Sequence, residues 1–239
     1  RVPKAVIVGL ACQMLLLPAA CLGIAHLFQL APELAVGLML LAASPGGATA
    51  NLFSHLARGD VALNITLTAV NSLLSLVTLP FIVNFSLEHF IGAGKAIPLQ
   101  FDKVIQVFAI VLVPVSIGMW LRAKRTVFAI RMERPVRLLS AALLALIVVA
   151  AVVRQFDVLA ASFAAVGLAA LTFNLVSMGV GYGVPKLVRL PEPQAIAIGM
   201  EIGIHNGTLA IALALSPQIL NNPTMSIPPA IYSLIMFFT

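Results

Sequence analysis

The sequence predicts an all-α membrane protein folded as an inverted internal repeat, on three observations. Of its 239 residues, 61% are hydrophobic and 9% charged, with a mean hydropathy of +1.09, whereas a soluble domain carries about 25% charged residues. No packed core absorbs that much apolar surface, so lipid must be the solvent. The apolar residues fall into eight runs, most of them near the roughly 20 residues that a spanning helix needs. Two runs are interrupted by polar, glycine-rich segments, Ser44-Pro-Gly-Gly-Ala-Thr-Ala-Asn51 and Glu201-Ile-Gly-Ile-His-Asn-Gly-Thr208, in matching places of the two halves.

Taken in order, the spans are 5–26, 33–57, 61–86, 103–121, 138–153, 158–184, 194–217 and 227–239, divided by short proline, glycine and charged punctuation. The first carries Gln13 in its interior. The second is broken at 44–51. In the third, Asn64, Thr68, Asn71 or Ser72, and Ser75 recur at helical spacing and line one face. Span 158–184 carries Asn174 and Ser177, 194–217 is broken at 201–208, and 227–239 begins a last span. The order whole, broken, whole thus occurs twice. The broken spans stand five apart in the series, and an odd offset inverts the second copy across the membrane. Two spans precede the second trio and none the first, so the symmetry predicts two further spans before Arg1, ten in all.

The net charge of +6 is distributed by topology rather than gathered for a nucleic acid. If alternate loops share a side, one side holds Arg1, Lys4, Arg58, Arg122, Lys124, Arg125, Arg131, Arg134, Arg137, Lys186 and Arg189, and the other Lys95, Lys103 and Arg154. Basic residues collect on the cytoplasmic side, so the basic loop 122–137 is expected in the cytoplasm of a multi-pass protein of the inner (plasma) membrane. Cys12 and Cys21 lie nine residues apart on one span, on opposite helix faces, and indicate neither a disulfide nor a metal site. No phosphate loop, HExxH or GxSxG motif is present, and the histidines at 26, 55, 89 and 205 are scattered. Nothing here points to an enzyme.

Glu201 carries the chemistry. A charge at the bilayer centre costs about 2.5–3.5 kcal/mol even on lenient insertion scales, so an intramembrane carboxylate signals function. Every lysine and arginine falls at a loop or span end, so no intramembrane base is available to pair with it. A helix broken in lipid leaves backbone groups unpaired, tolerated only where they are buried in protein or line a cavity. Two interrupted spans in corresponding places are the sequence pointer to a transporter's binding site. Exposed N-termini of half-helices favour anions. The amides and hydroxyls of span 61–86 fit two roles, gluing helices together or offering hard oxygens to Na⁺, by analogy with other hard cations. Gln13 likewise fits an interhelical hydrogen bond or a ligand, and His55 caps the end of its half-helix.

Pro45-Gly-Gly-Ala-Thr-Ala-Asn51, followed by Leu56-Ala-Arg-Gly-Asp-Val-Ala-Leu63 and later Glu201-Ile-Gly-Ile-His-Asn206, resembles the bile acid:sodium symporter family across essentially the whole chain, as its third to tenth helices. The resemblance implies one membrane domain, 1–239, with a core formed by 1–86 and 158–239, in which the two broken helices cross at mid-membrane, and a partial panel, 103–153. It implies a sodium site from the Ala50 carbonyl, Asn51, Asn64, Thr68 and Glu201. A second would use Gln13, Glu201, the backbone of Ile202 and Ile204, and His205. Ala48, Thr49 and Asn206 would face the substrate. His205 stands where the family carries a glutamine, and an imidazole nitrogen is a poorer partner for a hard cation than an amide oxygen.

The expected function is sodium-coupled symport of an organic anion, bile-acid-like or a smaller carboxylate, by rocking of core against panel, with Na⁺ as the coupling ion and the bilayer as the other partner. The alternative within transport is a proton-coupled or metalloid-exporting relative, with His205 as the titrating group. An intramembrane enzyme or sensor would need a nucleophile–base pair or metal cluster, which the sequence lacks.

Overall fold

The computed structural model describes residues 2–92, residues 156–239 apart from Gln218, and scattered positions between 109 and 146. Spans 103–121 and 138–153, and with them the expected panel, fall largely outside the described residues. Every regular element among the described residues is helical. Three helices, Pro3–Leu27, Val61–Phe90 and Val166–Leu187, are long and apolar enough to cross a bilayer, where the sequence placed spans 5–26, 61–86 and 158–184.

The first span is not uniform. Helix α1 (Val2–Ala11) passes through a π-helical stretch, Cys12–Leu16, into α2 (Leu17–Leu27). Pro18 brings no N–H and crowds the carbonyl one turn back, and the turn before it widens, so that the Leu17 amide reaches the Cys12 carbonyl. Gln13 sits in that widened turn, a device often found at functional sites.

The second span is split into α3 (Pro32–Ala43) and α4 (Ala48–Leu56), and α5 (Val61–Phe90) follows. In the second half α6 (Phe156–Leu187) leads to α7 (Glu192–Gly203) and α8 (Gly207–Leu215), then a 3₁₀ turn, Thr224–Ser226, and α9 (Ile227–Ile235). The entries to the two broken spans are built alike. Gln29 and Arg189 take left-handed backbone at φ 49° and 59°, while Leu30 and Leu190 return their amides to Ala25 and Pro185 at 3.1 and 2.9 Å. Each helix end is thereby closed by a Schellman turn. The next helix starts in both cases with proline and glutamate in its first turn, where the missing N–H is harmless and the negative charge meets the helix dipole. The repeat read from the sequence therefore recurs in backbone conformation.

Helix α3 lies at the centre, buried at every position from Leu34 to Ala43, as a helix apolar on all sides must be. It packs on α2, α5 and α9, while α7 packs on α4, α5 and α6. The outer face of α5 presents Ile65, Leu73, Val77, Phe81 and Phe85, an apolar surface suited to lipid or to a neighbouring apolar element. The loops collect at two ends. Lys4 donates to the Val188 carbonyl at 2.7 Å and the Asp60 amide to Pro193 at 2.8 Å. At the other end the His26 and His89 rings meet at 2.7 Å, and Asn222 donates to Glu33 at 2.9 Å. Lys4 and the turns bearing Arg58, Lys186 and Arg189 therefore share an end, as the alternating-loop count requires.

Candidate functional site

The two breaks meet each other. Ser44 is held extended ahead of Pro45 (φ −75°, ψ 143°), the conformation that a following proline imposes, and this stops α3. Gly46 lies opposite His205 in an antiparallel bridge, flanked by the Gly47 amide donating to Ile204 at 2.8 Å and the Asn206 amide donating to Pro45 at 2.9 Å. Backbone groups that lipid would leave unpaired are thus satisfied by the opposite break. The Gly46 amide turns instead to the Glu201 carboxylate. A methyl group on Gly46 would fall under 3.0 Å from that carboxyl group and from the Glu201 carbonyl, so glycine is required here by close approach.

Glu201 projects from α7 at 1% exposure and, among the described residues, has no basic partner. Thr68 Oγ1 lies 2.6 Å from its Oε2, and Asn71 Nδ2 donates to its Oε1 at 3.3 Å. Thr68 is also 3.0 Å from the Asn64 carbonyl. A hydroxyl has one proton, and an ionised Glu201 draws it to the carboxylate as a charge-assisted bond.

Three buried amides around this centre are oriented the same way. Asn64 gives its NH₂ to the Ala197 carbonyl at 2.7 Å, Asn71 gives its NH₂ to Glu201, and Gln13 gives its own to Ala42 and Ser44 at 3.2 and 3.0 Å. Each amide oxygen is left buried without a partner: Gln13 Oε1, Asn64 Oδ1 and Asn71 Oδ1. An unmet buried acceptor costs about 1–3 kcal/mol. Three of them, near the buried Glu201 carboxylate, offer hard oxygens and a compensating charge that would suit a cation.

His205 is packed as an aromatic. Its ring stacks on Phe173 at 5.5 Å and 12° and meets the Tyr232 edge at 5.4 Å. Tyr232 is fixed in turn by donating to Gly203 at 2.8 Å and accepting from Asn174 at 3.0 Å. His205 Nδ1 lies 3.4 Å from the Ser44 carbonyl, while Nε2 is buried without a partner.

For the first expected cation set, the structure brings Thr68 directly to Glu201. Asn64 sits one helical turn before Thr68, Ala50 is fully buried in α4, and Asn51 is half-buried beside it. In the second set, Gln13 and His205 converge on the Ser44 carbonyl, Ile202 is buried, and the Ile204 carbonyl already accepts from Gly47. In the expected substrate set, Ala48 opens α4 with Thr49 exposed behind it, and Asn206 caps α8 by accepting from Leu209 at 3.0 Å. Two residues near the junction were named in the sequence without a separate role. Asn71 was one of two options on its stripe, because helical spacing gives a face and not a partner. Thr208 occupies the second position of α8 as Thr49 does of α4, and both are exposed. Aligning GGAT with HNGT would have paired them.

A family profile described as the Sodium Bile acid symporter family matches residues 1–162. The chain is 28% identical over 211 residues to the human P3 protein, covering 88% of this chain and 44% of that protein. It is 26% identical over 233 residues to the Bacillus subtilis uncharacterized sodium-dependent transporter YocS, covering 98% and 70% respectively. Human sodium/bile acid cotransporter 4 is 29% identical over 238 residues, covering 98% and 54%. The chain therefore spans less than half the length of the P3 protein and about half that of the human cotransporter. Broken helices meeting at a buried carboxylate, in an all-α membrane fold, agree with the profile: the chain belongs to the sodium bile acid symporter family, a family of transporters and not of enzymes.

Proposed function

We propose that this protein is a secondary transporter that couples Na⁺ to the movement of a small organic anion. The observation that carries the reading is the crossing itself. Two half-helices, α4 and α8, begin on either side of one backbone bridge, and N-termini of helices attract anions. Behind them lie the Glu201 carboxylate and the unpaired amide oxygens, which attract a cation. One junction therefore offers sites of both signs, and filling one favours the other through charge.

Na⁺ would be taken by Glu201, Thr68 and Asn64, with Asn51 and the Ala50 carbonyl completing the set. The anion would be met by the N-terminal amides of Ala48–Thr49 and by Asn206, with the Thr49 and Thr208 hydroxyls at matching places. The names of two relatives, a sodium-dependent transporter and a sodium/bile acid cotransporter, support sodium as the driving ion and a carboxylate as the cargo. A core of 1–86 and 158–239 would move against the panel 103–153, in the plasma membrane with loop 122–137 in the cytoplasm.

The test is a thermal-shift screen of small carboxylates and bile acids on the purified protein in Na⁺ and in K⁺, followed by uptake of the best ligand into proteoliposomes. Stabilisation by a carboxylate is expected in Na⁺ only, and Na⁺-driven uptake should follow. Equal stabilisation in K⁺, with uptake indifferent to Na⁺, would overturn the coupling.

A further inference from the structure

Basic residues beyond a membrane span suffice for topology, whatever stands between them. In the basic loop 122–137 the intervening residues carry information of their own. Arg122, Lys124, Arg125, Arg131, Arg134 and Arg137 are set against one acid, Glu133. Large apolar side chains stand among and just before them, and Trp120, Val127, Phe128 and Ile130 are each more than half exposed. In water such a row gains nothing, whereas at a lipid headgroup boundary aromatic and basic side chains both find partners. We propose that this segment holds an anionic phospholipid of the cytoplasmic leaflet, in a cavity formed by Trp120, Leu121, Lys124, Arg125 and Phe128.

The backbone is helical at Leu121 and Lys124 and again from Thr126, with Arg125 at the junction. The Arg125 amide closes the first stretch on the Leu121 carbonyl at 2.7 Å, and its carbonyl opens the second by accepting from Ala129 at 3.0 Å. Trp120, Leu121 and Lys124 before the junction and Phe128 after it enclose, with Arg125, a cavity of about 390 Å³. Small-molecule sites span roughly 300–1,000 Å³. The lining holds two cations and no carboxylate, and among the described residues neither cation makes an ion pair. A phosphate diester supplies the missing charge, met by Arg125 as a planar fork and by Lys124 as a point charge. Trp120, Leu121 and Phe128 offer apolar surface to the glycerol and upper acyl chains, the depth at which aromatic rings gather in membranes.

The same lining selects among lipids. A headgroup of net negative charge keeps its whole attraction to Lys124 and Arg125, whereas a zwitterionic one brings its own ammonium group against them. A nucleic acid would satisfy the charges but leave Val127 and Ile130 in water. The inference is independent of the proposed sodium coupling and of the crossing. Only the choice of leaflet rests on the proposed cytoplasmic side of 122–137.

Trp120 is the single tryptophan of the chain and lines the cavity, so its fluorescence reports the occupant. The test reconstitutes the full chain into symmetric bilayers of phosphatidylcholine and phosphatidylglycerol in equal amounts, with bromine in the upper acyl chains of one lipid or of the other. Brominated phosphatidylglycerol should quench Trp120 more strongly than brominated phosphatidylcholine, with a preference of about fivefold for each cation near the surface. Lys124→Gln combined with Arg125→Gln should bring the two lipids to equal quenching. Raising the salt concentration should weaken the preference in the native chain, which carries the test if the double variant does not insert. Equal quenching in the native chain would overturn the site, and a change of Trp120 emission on adding poly(U) instead would assign the charges to a nucleic acid. A preference that survives both the double variant and salt would overturn the location. Quenching by neither lipid would mean that protein covers Trp120 and would overturn the proposal, leaving the sodium coupling untouched.

Discussion

Gly46 illustrates how much a single absent methyl group decides. Its backbone is ordinary extended chain, so an alanine there meets no dihedral penalty, only the carboxyl group and the backbone carbonyl of Glu201. Gly46→Ala is expected to displace that carboxylate and to abolish Na⁺-dependent stabilisation in a thermal-shift assay while the helices still insert. Glu201→Gln keeps the shape and removes the charge. A unit charge about 4 Å from an ion contributes about 4 kcal/mol at an effective dielectric of 20, so Na⁺ affinity should fall by a factor on the order of 100 or more, read by ²²Na⁺ binding. Thr68→Val should weaken it by about tenfold, because a hydrogen bond to a charged group is worth about 1.5–3 kcal/mol, and Thr68→Ser should restore it. At this scale Glu201 was legible because a carboxylate in an apolar run has few explanations, and Thr68 because it shares a helix face with Asn64. Asn71 was only half legible, since choosing it over Ser72 requires knowing where α7 lies.

Among the elements, the split spans were legible from proline and glycine, but the π-helical turn was not. Pro18 marks a disturbance one turn upstream, yet a proline alone does not say whether the helix kinks or widens. The widened turn sets the rotation of everything N-terminal to it, Gln13 included. Pro18→Ala supplies the missing N–H and lets the helix close into regular α geometry, turning Gln13 off its carbonyl pair. The expected outcome is equal or higher thermal stability without Na⁺, with the extra stabilisation by Na⁺ reduced. A variant stabilised by Na⁺ as fully as the native chain would show that the turn does not position Gln13. The shared entry turns make a second point. Gln29 and Arg189 occupy a left-handed position that costs an L-residue about 1–2 kcal/mol, so glycine at either place should raise the melting temperature, and both replacements together should add.

For the whole molecule, composition alone identified lipid as the solvent, and of the lysine and arginine positions that the count put on one side, Lys4 and the turns bearing Arg58, Lys186 and Arg189 share an end. Hydropathy alone could not supply the mutual contact of the breaks, which the family resemblance implies and which arises from pairing across roughly 160 residues of chain. The two native cysteines are buried and unbonded, which makes the protein a quiet background for labelling. Arg58→Cys and Arg189→Cys should react with a membrane-impermeant maleimide only from the cytoplasmic side, and His26→Cys only from the opposite side. Labelling of Arg58→Cys from outside intact cells would reverse the proposed orientation. Outside the membrane, hydrogen bonds from Lys186 and then Tyr182 hold the Glu192 carboxyl below the usual carboxylate range. Its contribution to stability is therefore present above the ordinary carboxylate pKa and lost as the pH falls through the lower folded value. Half-exposure to solvent keeps this contribution small and sensitive to salt.

The bridge between the breaks has a consequence for how the chain is made. The amide of Gly47 and the carbonyl of Pro45 leave the ribosome long before Ile204 and Asn206 exist, and at about 5–20 residues per second the interval is about 8–30 s. For that time the first break has no partner for backbone groups that cannot remain bare in hydrocarbon. The nascent segment 32–56 should therefore wait at the water interface or inside the insertion machinery, and settle at full depth only when α7 arrives. Arrested chains ending before Glu192 should leave a cysteine placed at Gly47 open to water-soluble reagents, and chains extended past Leu215 should close it.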